Sequence, residues 1–179
     1  DSQGYFSFDI SGYVGPAVVL AQGGEYVDEA TGNTIVADDL EMASLVVLTG
    51  AEEQTAHVTA ATTIAARRAT VLATDPTIDA LAALENGVAM VEEYYGIAGI
   101  LTTLPADLTA GAVVAGPAAE YGALNAGFSQ LADDRGIYLS SLIAELAKDA
   151  SDGMFDGHFF GGPLYVEGPS GDGDLFTDT

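Results

Sequence analysis

Cysteine and tryptophan are absent from this chain of 179 residues, lysine occurs once, and only four residues are basic. Without cysteine there are no disulfides, no thiolate metal sites and no cysteine nucleophile. Against the four basic residues stand 27 acidic ones, a formal net charge of −23. Phosphate binding requires Lys and Arg to release counterions, so nucleic acid is not an expected partner, and anionic membrane surfaces are disfavoured for the same reason. Long apolar runs are missing too. The longest stretch without a charged residue covers residues 10–24 and is interrupted by Gly12, Gly15 and Pro16. It falls short of the roughly 18 apolar residues that span a bilayer, and no membrane insertion is expected.

Apolar material is nonetheless ample. Hydrophobic residues make up 49% of the chain, which separates it from disordered acidic tails and supplies a sizeable core. The chain begins at Asp1 with no basic or apolar leader, as a mature product does after signal-peptide removal. Together with the acidity, this gives an expected extracellular or cell-surface location. Adaptation to high salt accounts for the same composition and is compatible with it.

Strand periodicity dominates residues 1–59. Phe6, Phe8 and Ile10 alternate with Ser7, Asp9 and Ser11, placing three apolar side chains on one face of an extended segment. Residues 17–20 and 44–49 read as short buried strands. Residues 25–28 and 34–37 flank the turn-forming cluster Ala30, Thr31, Gly32 and Asn33 and read as a hairpin. This spacing predicts a small antiparallel sandwich or barrel-like module.

Helical periodicity takes over in residues 60–157. An alanine-rich helix over 62–73 is followed by Asp75 and Pro76 as the expected start of a helix over 76–95, with Leu81, Leu84, Val88, Val91 and Tyr95 on one face and Gly96 as its stop. Residues 99–116 read as a connector. Pro117 opens a helix striped by Tyr121, Leu124, Phe128 and Leu131 and ended by Gly136, and a last helix over 137–150 aligns Leu139, Leu142, Ile143 and Leu146. Residues 158–179 form a glycine-rich end with one strand expected near 163–167. The amphipathic helices need a partner surface, and the sheet is the nearest one, so the expected class is a single α+β unit rather than two independent domains.

Chemical motifs are sparse. His57 and His158 lie far apart with no His or Cys at metal-ligand spacing. Ser129 lacks the second glycine of a nucleophile elbow, and neither a Walker loop nor a dinucleotide fingerprint occurs. Acidic pairs such as Glu92 with Glu93 and Asp133 with Asp134 read as solvated faces in so acidic a chain. The candidate metal cluster is Asp149, Ser151, Asp152 and Asp156, oxygen side chains at a helix end among glycines, suited to a hard cation such as calcium. Its spacing is not that of an EF-hand, because Met154 and Phe160 fall where the loop glycine and closing glutamate belong. The bland reading is that these aspartates shape local turns.

Four landmarks follow in order: Thr59-Ala-Ala-Thr-Thr-Ile-Ala65, Leu104-Pro-Ala-Asp-Leu-Thr109, a Tyr-Gly-Ala-Leu…Phe-Ser-Gln-Leu helix over residues 121–131, and the Ser-Asp-Gly…Asp-Gly close at residues 151–157. This order resembles that of uncharacterised bacterial secreted and surface lipoprotein-like proteins. In these an Ig-like, carboxypeptidase-regulatory-like strand module leads into a helical domain ending in an Asp-Gly-x-x-Asp-Gly turn. The resemblance implies a cell-surface or extracellular role and carries no catalytic residues. The chain departs from it at Ala60 and Ala61, where a proline turn is usual, and in having no lipobox cysteine.

The expected function is therefore not enzymatic. It is that of an extracellular structural protein, a filament or matrix subunit whose partner is itself, joined by exchange of terminal strands. Tyr5, Phe6, Phe8 and Ile10 at one end and Leu164 and Val166 at the other are the expected interface residues. A calcium-dependent adhesion module is the alternative, and a carbohydrate-active enzyme, needing two acids across one cleft, ranks last.

Overall fold

The computed structural model describes residues 5–7, 9–10, 12–28, 30–37, 40–50, 53–110, 112–169 and 173–174. Its elements run β1 (Gly15–Gln22), β2 (Glu25–Val27), β3 (Thr34–Val36), β4 (Glu41–Leu48), α1 (Ala60–Leu72), α2 (Ala80–Tyr95), a single 3-10 turn (Leu108–Ala110), α3 (Pro117–Arg135), α4 (Leu139–Ser151), and the two-residue strands β5 (His158–Phe159), β6 (Gly162–Pro163), β7 (Tyr165–Val166) and β8 (Gly173–Asp174). Helices and antiparallel strands are mixed, as expected.

Among the described residues the strands form no closed barrel, and the expected sandwich is not confirmed. They pair as separate two-stranded ribbons, β1 with β4, β2 with β3, β5 with β6 and β7 with β8. Two causes are visible. β2 and β3 have three residues each, too few to carry a second sheet. The alternating segment over residues 5–14, expected to supply a further strand, joins no ladder among its described residues; the positive-φ Gly12 lies within it and the positive-φ Gly15 opens β1. Phe8 lies outside the described residues. Instead of a second sheet, helix α1 covers the ribbon, and Ala43 and Leu45 of β4 share one apolar cluster with Ile64, Val91, Leu142, Ile143, Leu164 and Val166.

Helix α1 is the central element, with Ala60, Ala61, Thr62, Ile64, Ala65, Ala66 and Ala69 all buried. Thr59 caps it: its hydroxyl accepts from the Thr62 amide, and the Thr62 hydroxyl accepts from the Thr59 amide. The same threonines sew the helix to β4. Thr62 donates to the Ala43 carbonyl at 2.8 Å, and the Ala43 amide donates to Thr63 Oγ1 at 2.9 Å. The Thr59 hydroxyl also pairs with the buried Tyr121 hydroxyl of α3. The Thr-Ala-Ala-Thr-Thr run is thus a junction of three elements.

Helix α2 starts later than the Asp75-Pro76 pair suggests. Asp75 accepts from the amide and hydroxyl of Thr77, making a turn that contains Pro76, and Asp79 is the cap that accepts from Leu81 and Ala82. Gly96 and Gly136 end α2 and α3 in left-handed conformation, as expected from their positions. No helix of the described residues is long and apolar enough to cross a membrane.

Close approach of α1 and α2 depends on small residues. A Cβ on Gly87 would lie 2.4 Å from the Ala65 carbonyl oxygen and 3.2 Å from the Ala69 Cβ. Gly87→Ala is expected to force the helices apart and lower stability by about 1–3 kcal/mol despite its gain in helix propensity. Urea denaturation measures it, and an unchanged midpoint would show that the helices do not meet at Gly87.

Candidate functional site

The expected metal cluster lies at the end of α4. Asp149 is fully buried and faces inward. Its Oδ1 accepts from the Asp156 and Gly157 amides at 3.3 and 3.1 Å, and its Oδ2 lies 3.3 Å from the Gly157 amide. The other oxygens serve different groups. Ser151 Oγ donates to the Lys148 carbonyl, Asp152 accepts from the Met154 amide, and Asp156 accepts from the His158 amide while its carbonyl faces the His158 ring. The four residues are near in sequence, but each is engaged with backbone next to it. Among the described residues no group of three or more His, Asp or Glu side chains is placed to hold a metal ion.

Opposite this loop stands a residue whose importance the sequence reading missed. Arg68 on α1 donates from Nη1 to the Ser151 carbonyl at 2.9 Å, neutralising the negative end of α4. Gly153 lies against the guanidinium, where a Cβ would meet Nη2 at 2.9 Å, and its φ of 103° is itself unsuited to a side chain. Tyr94 stacks on Phe155 at 4.1 Å and Tyr95 meets Phe155 and Phe128 edge-on, closing the apolar side of the loop. Arg67 and Arg68 are adjacent in an otherwise cation-poor chain, and that was the available signal.

A second arrangement joins the hairpin to α3. Asp28 Oδ1 accepts from the amides of Ala30 and Thr31 and from the Thr31 hydroxyl, while Oδ2 accepts from Ser129 Oγ at 3.0 Å. Ser129 is therefore a tether across 101 residues of sequence. Next to it lies a cavity of about 390 Å³ bounded by Tyr26, Met42, Asn125, Phe128, Ser129 and Ile143 among others. Neither histidine lines it, and the Asn125 amide oxygen, though buried, has no hydrogen-bond partner among the described residues.

The expected interface residues fall into two groups. Leu164 and Val166, 0% and 3% exposed, are built into the chain's own core. Tyr5, Phe6 and Ile10 are exposed and belong to no strand. Val18 and Leu20 of β1, which the sequence reading placed in a buried strand, are 47% and 64% exposed.

Comparison of the chain with protein-family models, curated proteins and solved structures finds no match.

The two buried carboxylates titrate in opposite directions. Burial raises Asp149 above the ordinary value of 3.8, against the backbone amides that favour its charge. Such a group contributes fully below the unfolded-state value, and its contribution is lost as pH rises through the raised folded-state value. Asp149→Asn, which cannot ionise, is thus expected to gain on the parent chain as pH rises from about 4 to 7. Parallel denaturation curves at the two pH values test this, and a constant difference would sink it.

Burial also acts to raise Asp28, but the hydrogen bonds from Thr31, Ser129 and Ala30 outweigh it and hold the carboxyl below 3.8. The resulting stabilisation is present above the unfolded-state value and lost as pH falls through the lower folded-state one. Asp28→Ala is expected to cost about 2 kcal/mol at neutral pH, the worth of a buried charge-assisted network, and less in acid. Ser129→Ala should show a smaller loss with the same pH dependence.

Proposed function

We propose that the chain is an extracellular structural protein that works by associating with copies of itself. One observation carries the reading. All four described ladders are two-stranded, and large apolar side chains stand exposed along them: Val18 and Leu20 on β1, Val27 on β2, Ile35 and Val36 on β3, and Tyr165 on β7. Open ribbon edges carry backbone donors and acceptors that a further strand satisfies, and exposed aliphatic residues beside them add burial to the pairing. The acidic composition and the resemblance to secreted bacterial proteins support placement outside the cell.

The route of association is pairing at edges rather than withdrawal of the C-terminal strand. Leu164 and Val166 lie in the subunit core, and pulling both into water would cost about 3–6 kcal/mol before any new contact forms. The fold keeps them at home.

A charge of −23 on each copy opposes contact, and this repulsion falls as the Debye length shrinks from about 10 Å at 0.1 M salt to about 3 Å at 1 M. Association is therefore expected to increase with sodium chloride. Light scattering and electron microscopy of the purified chain across that range read it directly. A monodisperse monomer at high protein concentration at both ends of that salt range would remove the proposal.

A further inference from the structure

We infer that the outer edge of β1 is the self-association site, and that two copies pair there antiparallel about a twofold axis at Val19. This rests on the self-association reading and names its surface, register and symmetry.

The edge follows from the ladder geometry. In an antiparallel pair the N–H and C=O of one residue point to the same side, and the side alternates along the strand. Ala43 spends both on the threonines of α1, donating to Thr63 and accepting from Thr62. Its peptide groups therefore point away from β1, and at Ala43 α1 occupies that side of β4. Leu20 is the register partner of Ala43, so its own groups point away from β4. Val18, two residues along, does the same. Pro16, two further, has no N–H, and its carbonyl accepts from the Tyr13 hydroxyl at 2.7 Å. The open part of the edge is Val18, Leu20 and Gln22, for whose N–H groups no acceptor stands among the described residues. Val18 and Leu20 are its two aliphatic residues, and an axis at Val19 sets them against each other, whereas an axis at Leu20 would set Val18 against Gln22.

Charge selects the occupant. Natural sheet edges are guarded by charged side chains, yet β1 reads GPAVVLAQ and sits inside the uncharged residues 10–24 of a chain carrying −23. A strip without ionisable groups is where two copies of a polyanion approach at least electrostatic cost. A twofold axis at Val19 sets Val18 opposite the partner's Leu20 and Leu20 opposite the partner's Val18, so each residue both donates and accepts. The Val18 and Leu20 side chains of both copies then lie on one face. Beneath that face, between β1 and the helices, is a cleft of about 270 Å³ lined by Val18, Leu45, Ala69, Ala73 and Leu84. The partner's Leu20 stands over it.

The absence of cysteine makes the register testable. Val18→Cys and Leu20→Cys each introduce the sole thiol of their chain at an exposed position. In this pairing residue 18 faces residue 20 of the other copy with Cα atoms about 5.5 Å apart, within disulfide reach, whereas like residues lie diagonally at roughly 7–8 Å. Oxidising a mixture of the two variants in high salt is expected to give the mixed disulfide dimer about fivefold over either homodimer. Leu20→Lys, with an unchanged circular dichroism spectrum, is expected to weaken association about tenfold or more. If light scattering shows oligomers but the mixed disulfide is not favoured, this edge and register are overturned and self-association stands. Monomers throughout would overturn both.

Discussion

The packing of α1 by its smallest side chains is the constraint on which the rest of the molecule depends. Alanine and threonine give a helix little apolar area per residue, so α1 contributes through closeness rather than bulk. Its Ala65 and Ala69 receive Gly87 of α2, and its first turn reaches the β4 backbone through Thr62 and Thr63. Larger residues on either partner would push the elements apart and break those hydrogen bonds at once. Ile64, fully buried, is the one large aliphatic of its buried face. Tyr121, whose phenol burial pushes up to about 12, reports the same dryness at the cap of the helix.

A chain with four cations cannot neutralise 27 carboxylates by ion pairing, and the fold uses a different partner. Backbone amides take that role. Asp28, Asp75, Asp79, Glu92, Asp107, Asp149, Asp152 and Asp156 each accept from amides a few residues onward in the chain. These bonds fix turns and helix starts locally and need no basic side chain. The Asp-rich stretch at residues 149–156 belongs to this pattern. Its spacing suits turn geometry, with Asp149 reaching seven and eight residues ahead, and the other oxygens are engaged one by one.

What could be read beforehand follows from how local the cause is. Helices α3 and α4 were legible because Pro117, Gly136 and the Leu139, Leu142, Ile143, Leu146 stripe act within one or two turns. The hairpin was legible from Ala30, Thr31, Gly32 and Asn33. The start of α2 was missed because Asp75 and Asp79 carry the same capping signal, and only the competing turn at Thr77 separates them. The expected sandwich was not confirmed because a strand requires a partner, and alternation at Phe6 and Ile10 says nothing about whether one exists. Ser129 and Arg68 owe their roles to contacts across 101 and 83 residues; the Arg67-Arg68 pair marks Arg68 as unusual, but no local pattern names the partner of either.

Charge and edge are best understood together. An exposed two-stranded ribbon with aliphatic residues beside open peptide groups is an aggregation hazard in an ordinary protein. Here the hazard sits within a surface that repels its own kind, and at Ala43 α1 occupies the other side of the ribbon. Among the described residues the proposed contact lies on the β1 side, over a length set by Pro16 at one end and by the glycines Gly23 and Gly24 after Gln22 at the other. Under the proposed self-association, long-range repulsion would limit which approaches succeed, turning away a copy that meets an acidic face and sparing one that meets residues 15–22. On this account the acidity limits self-contact to a short stretch of backbone and makes it responsive to salt.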